Sequence, residues 1–213
     1  PKNRLPDWIK EANFVNKIKP RYLIPSDLGG SKTLSKGNGL TEEEATLHGS
    51  RVHKLLELLP KYASEVWQEH SLKMLKANRL FDGSPEVTNA IEEALSVLND
   101  PKFSYIFDEN VLSEVPFSAH LSNLKNQKIY GIIDRLIIGS NSVQIIDFKT
   151  NSTVPKTVDN IPLGILRQMA AYRLAIKEIF PDKEVGCYIL WTAIRKLDFI
   201  KKDLLDYNNL DSS

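Results

Sequence analysis

Between residues 111 and 150 the chain turns apolar in three bursts separated by polar breaks. Residues 111–121, 128–138 and 143–150 carry Val, Ile, Leu and Phe at alternating or near-continuous positions, the spacing of strands with one or both faces buried. The break Gly139-Ser140-Asn141-Ser142 is turn-rich and predicts a hairpin between the second and third strands. Upstream, over residues 41–99, the period lengthens to that of helices. Three are expected: 41–59, 62–80, and one opened by Ser84-Pro85 with Val87, Ile91, Leu95 and Leu98 on one face. Thr41 with Glu44 three residues on forms a capping box for the first, and Pro60 closes it. After a loop containing Pro155 and Pro162, residues 163–180 predict a helix and 185–193 a buried strand. The pattern predicts an α/β fold with core order α-β-β-β-α-β, a mixed sheet flanked by helices. Residues 1–40, rich in Pro, Gly and Ser, are expected to be a loop-rich linker or wrapping segment. One domain is expected over 41–201, with a helical part at 41–99 and an αβ core at 100–201, followed by a frayed acidic tail at 202–213.

Charged residues interrupt the apolar bursts at three places that change the picture. In Val143-Gln144-Ile145-Ile146-Asp147-Phe148-Lys149 the odd positions share a face, which sets Asp147 beside Lys149. The hairpin brings Asp134 back alongside Asp147. A charge in an apolar strand is costly to bury without a partner or a metal. Two aspartates at a strand edge suit Mg²⁺, which takes oxygen ligands and is commonly bound by one or two carboxylates plus substrate phosphates. Lys149 beside them can stabilise developing negative charge, or position and deprotonate a water. The residues leave the choice between these roles open, and an Asp-x-Lys triplet also arises by chance.

Composition narrows the class. The chain has 213 residues, 42% hydrophobic and 26% charged, which is ordinary for a globular protein with a sizeable core. No apolar run approaches the roughly 20 residues that span a bilayer. The first residues, Pro1-Lys2-Asn3-Arg4, carry no secretory signal, so an intracellular location is expected, and the absence of a starting Met suggests a piece of a longer chain. The single cysteine, Cys187, lies in an apolar strand and cannot supply the four thiolates of an iron–sulfur cluster. A net charge of only +1 means that any grip on nucleic acid must be local. Arg135, Lys149, Lys156 and Arg167 are the candidate cations near the site, with Lys32 and Lys36 in the early loop. No G-x-x-x-x-G-K-[ST] phosphate loop is present, so no ATPase follows from these residues.

Taken in order, Gly49-Ser50-Arg51-Val52-His53, then Gly131-Ile132-Ile133-Asp134, then Ile145-Ile146-Asp147-Phe148-Lys149-Thr150, then Gln168-Met169-Ala170-Ala171-Tyr172 resemble the RecB-like branch of the PD-(D/E)xK nuclease superfamily. Ser26-Asp27-Leu28, the stretch from Leu47 to Glu57, and Ser113-Glu114-Val115-Pro116-Phe117 are further similar to AddA-type C-terminal nuclease domains of bacterial AddAB helicase–nucleases. The resemblance spans roughly residues 22–193.

That resemblance implies a restriction-endonuclease-like core and a Mg²⁺-dependent, or Mn²⁺-dependent, DNA exonuclease acting in double-strand-break end processing. It makes His53, Asp134 and Asp147 metal ligands, with the Phe148 carbonyl a further one and Glu114 a candidate for a second metal or a supporting role. Lys149 becomes the catalytic lysine, and Gln168 and Tyr172 line the same cleft. It further implies a helicase part of the same chain that uses ATP and feeds it a single strand, an AddB-type partner subunit, linear DNA ends as substrate, a bacterial cytoplasmic setting, and neither membrane nor iron–sulfur cluster. Two other classes are compatible with some of these residues. One is an inactive nuclease fold that binds DNA ends or a partner; the other is a metal-free hydrolase using the carboxylates as an acid/base pair.

Overall fold

The alternating bursts become neighbouring strands in the computed structural model, which describes residues 22–31, 41–121 and 127–207. Strands β1 (Leu112–Leu121), β2 (Gln127–Ile138), β3 (Ser142–Lys149), β4 (Glu184–Trp191) and β5 (Lys196–Ile200) form one sheet in that order. β3 and β4 pair in parallel and the other neighbours are antiparallel. A parallel pair needs a long crossover, and α4 (Leu163–Ile179), the fourth of the five α-helices among the described residues, supplies it. A bridge from Leu23 to Ile129 adds one further strand-like contact beside β2.

Two cores explain why β3 reads as a near-continuous apolar run rather than a clean alternation: both of its faces are covered. On one face Ile165, Met169, Tyr172 and Ile176 of α4 pack on Phe117, Ile129, Ile133, Ile145 and Ile189. On the other, α1 (Glu42–Leu58), α2 (Trp67–Ala77) and α3 (Glu86–Leu98) pack Val52, Leu55, Leu56, Leu75 and Ile91 against Ile146, Phe148 and Leu190. Each fully buried Leu or Ile contributes about 1.5–3 kcal/mol relative to exposure, so these layers hold the fold.

The N-terminal boundary of α1 is where the capping box places it: the Thr41 hydroxyl accepts from the Glu44 amide at 3.2 Å, and Glu44 returns the bond to the Thr41 amide at 2.7 Å. The second helix is shorter than the predicted 62–80. It follows a 3-10 turn at Ser64–Val66 and ends at Ala77, because Arg79 takes a left-handed conformation (φ 60°) and the Leu80 amide closes back on the Leu75 carbonyl at 2.9 Å.

Two elements lie beyond the expected core. β5 follows a turn at Arg195 (φ 52°) that carries no glycine to announce it, and Asp198 on β5 takes the Trp191 indole N–H at 2.9 Å. The expected frayed tail is, over its first part, helix α5 (Lys202–Tyr207), with Leu205 buried and Arg173 paired to Asp206 at 3.0 Å. Polar composition hid an element held by one buried leucine. Residues 208–213, like 1–21 and 32–40, lie outside the described residues.

Residues 22–31 pack on the domain. The Leu23 amide donates to Lys128 and its carbonyl accepts from Tyr130, at 3.0 and 2.9 Å. At Gly164 a side chain would come within 2.7 Å of the Gly30 carbonyl, so the Gly29-Gly30 segment lies directly against the start of α4. No helix among the described residues is long and apolar enough to cross a membrane.

Candidate metal centre and lysine site

The site forms where the sheet splits. β2 and β3 pair from Ile138↔Val143 to Arg135↔Ile146, and the ladder ends one step short of Asp134 opposite Asp147. β3 continues to pair with β4 as far as Lys149↔Trp191, while β2 continues with β1. In the gap, the Phe148 amide donates to Asp134 Oδ2 at 2.6 Å, so a carboxylate satisfies this buried N–H.

β1 bends at the same level. Glu114 lies across from Asp134, between the pairs Ser113↔Arg135 and Val115↔Ile133, and has φ 50°. A non-glycine residue held there costs on the order of 1–3 kcal/mol, a strain that gathers at functional sites. β2 shows the matching slip. Strict alternation would send Ile133 and Leu136 to opposite faces, yet both lie in the core under α4. Asp134 and Arg135 consequently both turn toward α1, Asp134 to His53 and Arg135 to the Leu56 carbonyl at 2.5 Å.

His53, Glu114 and Asp134 offer ligand atoms that all lie within 4.8 Å of one another. His53 Nδ1 stands 3.2 Å from Asp134 Oδ1, and its ring meets Phe148 edge-on with centroids 5.7 Å apart. Burial works against a charged His53, but the Asp134 charge and hydrogen bond outweigh it and raise its pKa above the ordinary value. Burial likewise opposes ionised Asp134, and His53, the Phe148 amide and Lys149 overcome it, lowering its pKa. Glu114 is pushed up by burial and by the charges of Asp134 and Glu57. Crowded anions that resist sharing one space are what a cation would relieve.

Asp147 is not one of that trio; it faces a cation of the chain's own. Lys149 Nζ lies 2.5 Å from Asp147 Oδ2, a contact without hydrogen-bond geometry, which leaves this buried oxygen short of a directed donor. Burial raises the Asp147 pKa, with the Asp134 charge adding to it and Lys149 opposing.

Gln168 ties the group together. Its Oε1 accepts from Lys149 Nζ at 3.1 Å, and its Nε2 donates to Asp147 Oδ1 at 3.1 Å and to the Tyr172 hydroxyl at 2.8 Å. The Tyr172 hydroxyl donates in turn to the Ile132 carbonyl at 2.9 Å, and burial pushes its pKa far up, so it stays a neutral donor. Gln168 and Tyr172, four apart on α4, thus orient Lys149 and Asp147 and pin β2 just before Asp134.

The donor set fits a divalent cation. Two carboxylates and an imidazole converge, and a third carboxylate with an under-satisfied buried oxygen lies across the split. Phe148, expected to offer its carbonyl, reaches Asp134 through its amide.

Of the expected surface cations, Arg135 is corrected. It is buried, stacked over Phe107 at 5.1 Å and bonded to Leu56, because the slip in β2 turns it inward. Lys156 is exposed, Arg167 is half-buried and donates to the Leu28 carbonyl at 3.2 Å, and Lys32 and Lys36 lie outside the described residues.

A connection behind Lys149 had no sequence signal. His48 Nε2 contacts Glu93 Oε2 at 2.8 Å, Glu93 bonds the Thr192 hydroxyl, and Thr192 Oγ1 lies 3.1 Å from the Lys149 carbonyl. These residues come from α1, α3 and the end of β4 and meet only in the fold.

Residues 21–199 match the profile of the PD-(D/E)XK nuclease superfamily. Among solved structures, one described as "Crystal structure of SSO0001" aligns over 80% of this chain and 84% of its own, at 15% identity and a TM-score of 0.32. No curated protein matches the chain.

Proposed function

Because this chain belongs to the PD-(D/E)XK nuclease superfamily, we propose that it is a metal-dependent DNA exonuclease domain that hydrolyses phosphodiester bonds at DNA ends. The observation that carries this reading is the convergence, at one split in the sheet, of the donors His53, Glu114 and Asp134 with the Asp147–Lys149–Gln168 group. An acid/base pair acting without metal fits these residues poorly, since Lys149 is held against Asp147 by both a direct contact and the Gln168 amide.

In this reading His53, Glu114 and Asp134 would hold Mg²⁺ or Mn²⁺, with Asp147 and the Phe148 carbonyl as further oxygen donors. Held there, such an ion would supply positive charge against the phosphodiester oxygens. Lys149 presents its ammonium where negative charge develops during attack on phosphorus. Gln168 fixes the direction of that ammonium, and Tyr172, neutral at working pH, fixes Gln168. The Phe148 amide keeps Asp134 aimed at His53 and Glu114.

The finer reading, a DNA-end-processing domain in an AddA-type chain whose helicase lies elsewhere and which pairs with an AddB-type subunit, rests on the order of its motifs from Ser26 to Tyr172.

Degradation of end-labelled single- and double-stranded DNA, measured with Mg²⁺, with Mn²⁺ and with EDTA, tests the activity. Cutting is expected with either metal, none in EDTA, and a loss of at least about 100-fold for Asp147→Ala or Lys149→Met. Cutting that persists in EDTA, or in Asp147→Ala, rules the proposal out.

A further inference from the structure

The β1–β2 hairpin extends past the split as an arm with one covered and one open face. On the N-terminal side of Arg135 the β2–β3 ladder has ended; residues 127–133 pair with β1, and Ile129 also bridges to Leu23. The side facing α4 is buried through Phe117, Ala119, Ile129 and Ile133. The opposite side carries Tyr130 (44% exposed) and Ile132 (43%) from β2, with Tyr22 (46%) and Ile24 (47%) flanking the Leu23 bridge. Pro116 and Ser118, the β1 partners of Ile132 and Tyr130, are exposed beside them. Lys128 Nζ sits over the Tyr22 ring at 5.1 Å.

This face is continuous with the metal-capable trio. Lys128, Tyr130, Ile132 and Asp134 follow one another at two-residue steps, each advancing about 7 Å along the strand. The row ends where Asp134 meets His53 and Glu114. The Tyr172 hydroxyl holds the Ile132 carbonyl, so the last step of the row is fastened to the same hydrogen bonds that orient Lys149.

A polymer cut at Asp134 must lie on something on either side of the scissile bond. A duplex presents phosphates outward and would be held by rows of cations. This face instead offers two tyrosine rings, two isoleucines, a proline and one well-placed lysine. Flat apolar rings suit bases whose faces are bare, which only an unpaired strand presents.

Building on the nuclease reading, we propose that the open face of the β1–β2 arm is the track for an unpaired DNA strand entering the site, with bases stacked on Tyr130 and Tyr22 and a phosphate on Lys128. Tyr130 and Tyr22 are positioning residues. They touch the strand away from the scissile phosphate and govern binding rather than the bond-breaking step.

The test is fluorescence anisotropy in EDTA with a labelled oligothymidylate of roughly 20 nucleotides and a blunt hairpin duplex of similar mass. It is paired with steady-state cleavage in Mg²⁺, and with circular dichroism and sedimentation on every variant. Tyr130→Ala is expected to fold as the parent and to bind the oligothymidylate about tenfold more weakly, the loss of one stacked base. In cleavage its KM should rise with kcat held, and Tyr130→Phe should restore both. Tyr22→Ala should act in the same direction.

The proposal is overturned if the parent does not bind the oligothymidylate, if Tyr130→Ala binds it as the parent does, or if the duplex is bound as tightly and weakened equally. It is also overturned if Tyr130→Ala dissolves a dimer while leaving DNA affinity unchanged, which would make a second copy of this chain the occupant. Tyrosine-dependent binding without metal-dependent cutting would sink the nuclease reading and leave the track. Cutting with tyrosine-independent binding would do the reverse.

Discussion

At the residue scale the site is an exercise in placing like charges close together without letting them neutralise. Asp134 survives ionised under α1 because His53, an amide and Lys149 all favour its anion, whereas Asp147 is pushed toward its neutral form by burial and by Asp134. The signs set a pH dependence in EDTA. The raised His53 pKa contributes stability that is complete below its unfolded value of about 6.5 and is lost as pH rises through the folded value. The lowered Asp134 pKa contributes stability present above about 3.9 and lost as pH falls through its folded value. The Tm advantage of the parent over His53→Gln should therefore peak between about pH 4 and 6.5 and shrink on the alkaline side. A constant difference across pH, read by thermal melts, would contradict the pair. The Cys187 thiol, pushed up to about 12 by burial, belongs to the core and not to this chemistry.

Elements decide how these residues meet. Helix α1 carries His53 because Thr41 and Glu44 start it in register, and Gly49 lets it approach β3: a side chain there would stand 3.1 Å from Thr150 Oγ1, directly after Lys149. Helix α4 carries Gln168 and Tyr172, and its start is seated against Gly30. Thr41→Ala should cost about 0.5–2 kcal/mol in urea melts, through the cap alone. Gly164→Ala should cost more than that, because its methyl would lie 2.7 Å from the Gly30 carbonyl, 2.9 Å from the Ser31 carbonyl and against backbone that has no side chain to rotate away. Equal costs for the two variants would mean that the Gly30 segment yields freely.

For the whole molecule, the two cores grip the two faces of β3 and β4 and leave the far half of the β1–β2 hairpin open on one side. The split at Asp134 is the boundary between the covered and open halves. Closing it with a cation that binds only the folded state should raise stability by about 2.7 kcal/mol at 100 times the dissociation constant. We expect Mg²⁺ or Mn²⁺ to raise the parent's Tm in a concentration-dependent way and to leave Asp134→Asn unmoved, as measured by differential scanning fluorimetry. A Tm indifferent to both ions in the parent would exclude this use of the trio.

What sequence alone determined here is local. Period and caps set α1, α3, α4 and strands β1 to β4 to within a few residues, since a 3.6-residue or two-residue repeat is written in neighbouring side chains. The Asp147–Lys149 contact followed from strand alternation, and Gln168 with Tyr172 from helical spacing. Tertiary structure decided what depends on distant partners. Alternation in β2 slips at Asp134, so Arg135 is buried rather than offered to DNA, and Glu114 is strained into the metal-capable group. Thr192 and Glu93 stand behind Lys149 although 99 residues separate them from each other. A one-dimensional pattern records which way a side chain points while the strand is regular. Where two ladders part, the direction is set by which buried donors and charges must be satisfied, and those come from elsewhere in the chain.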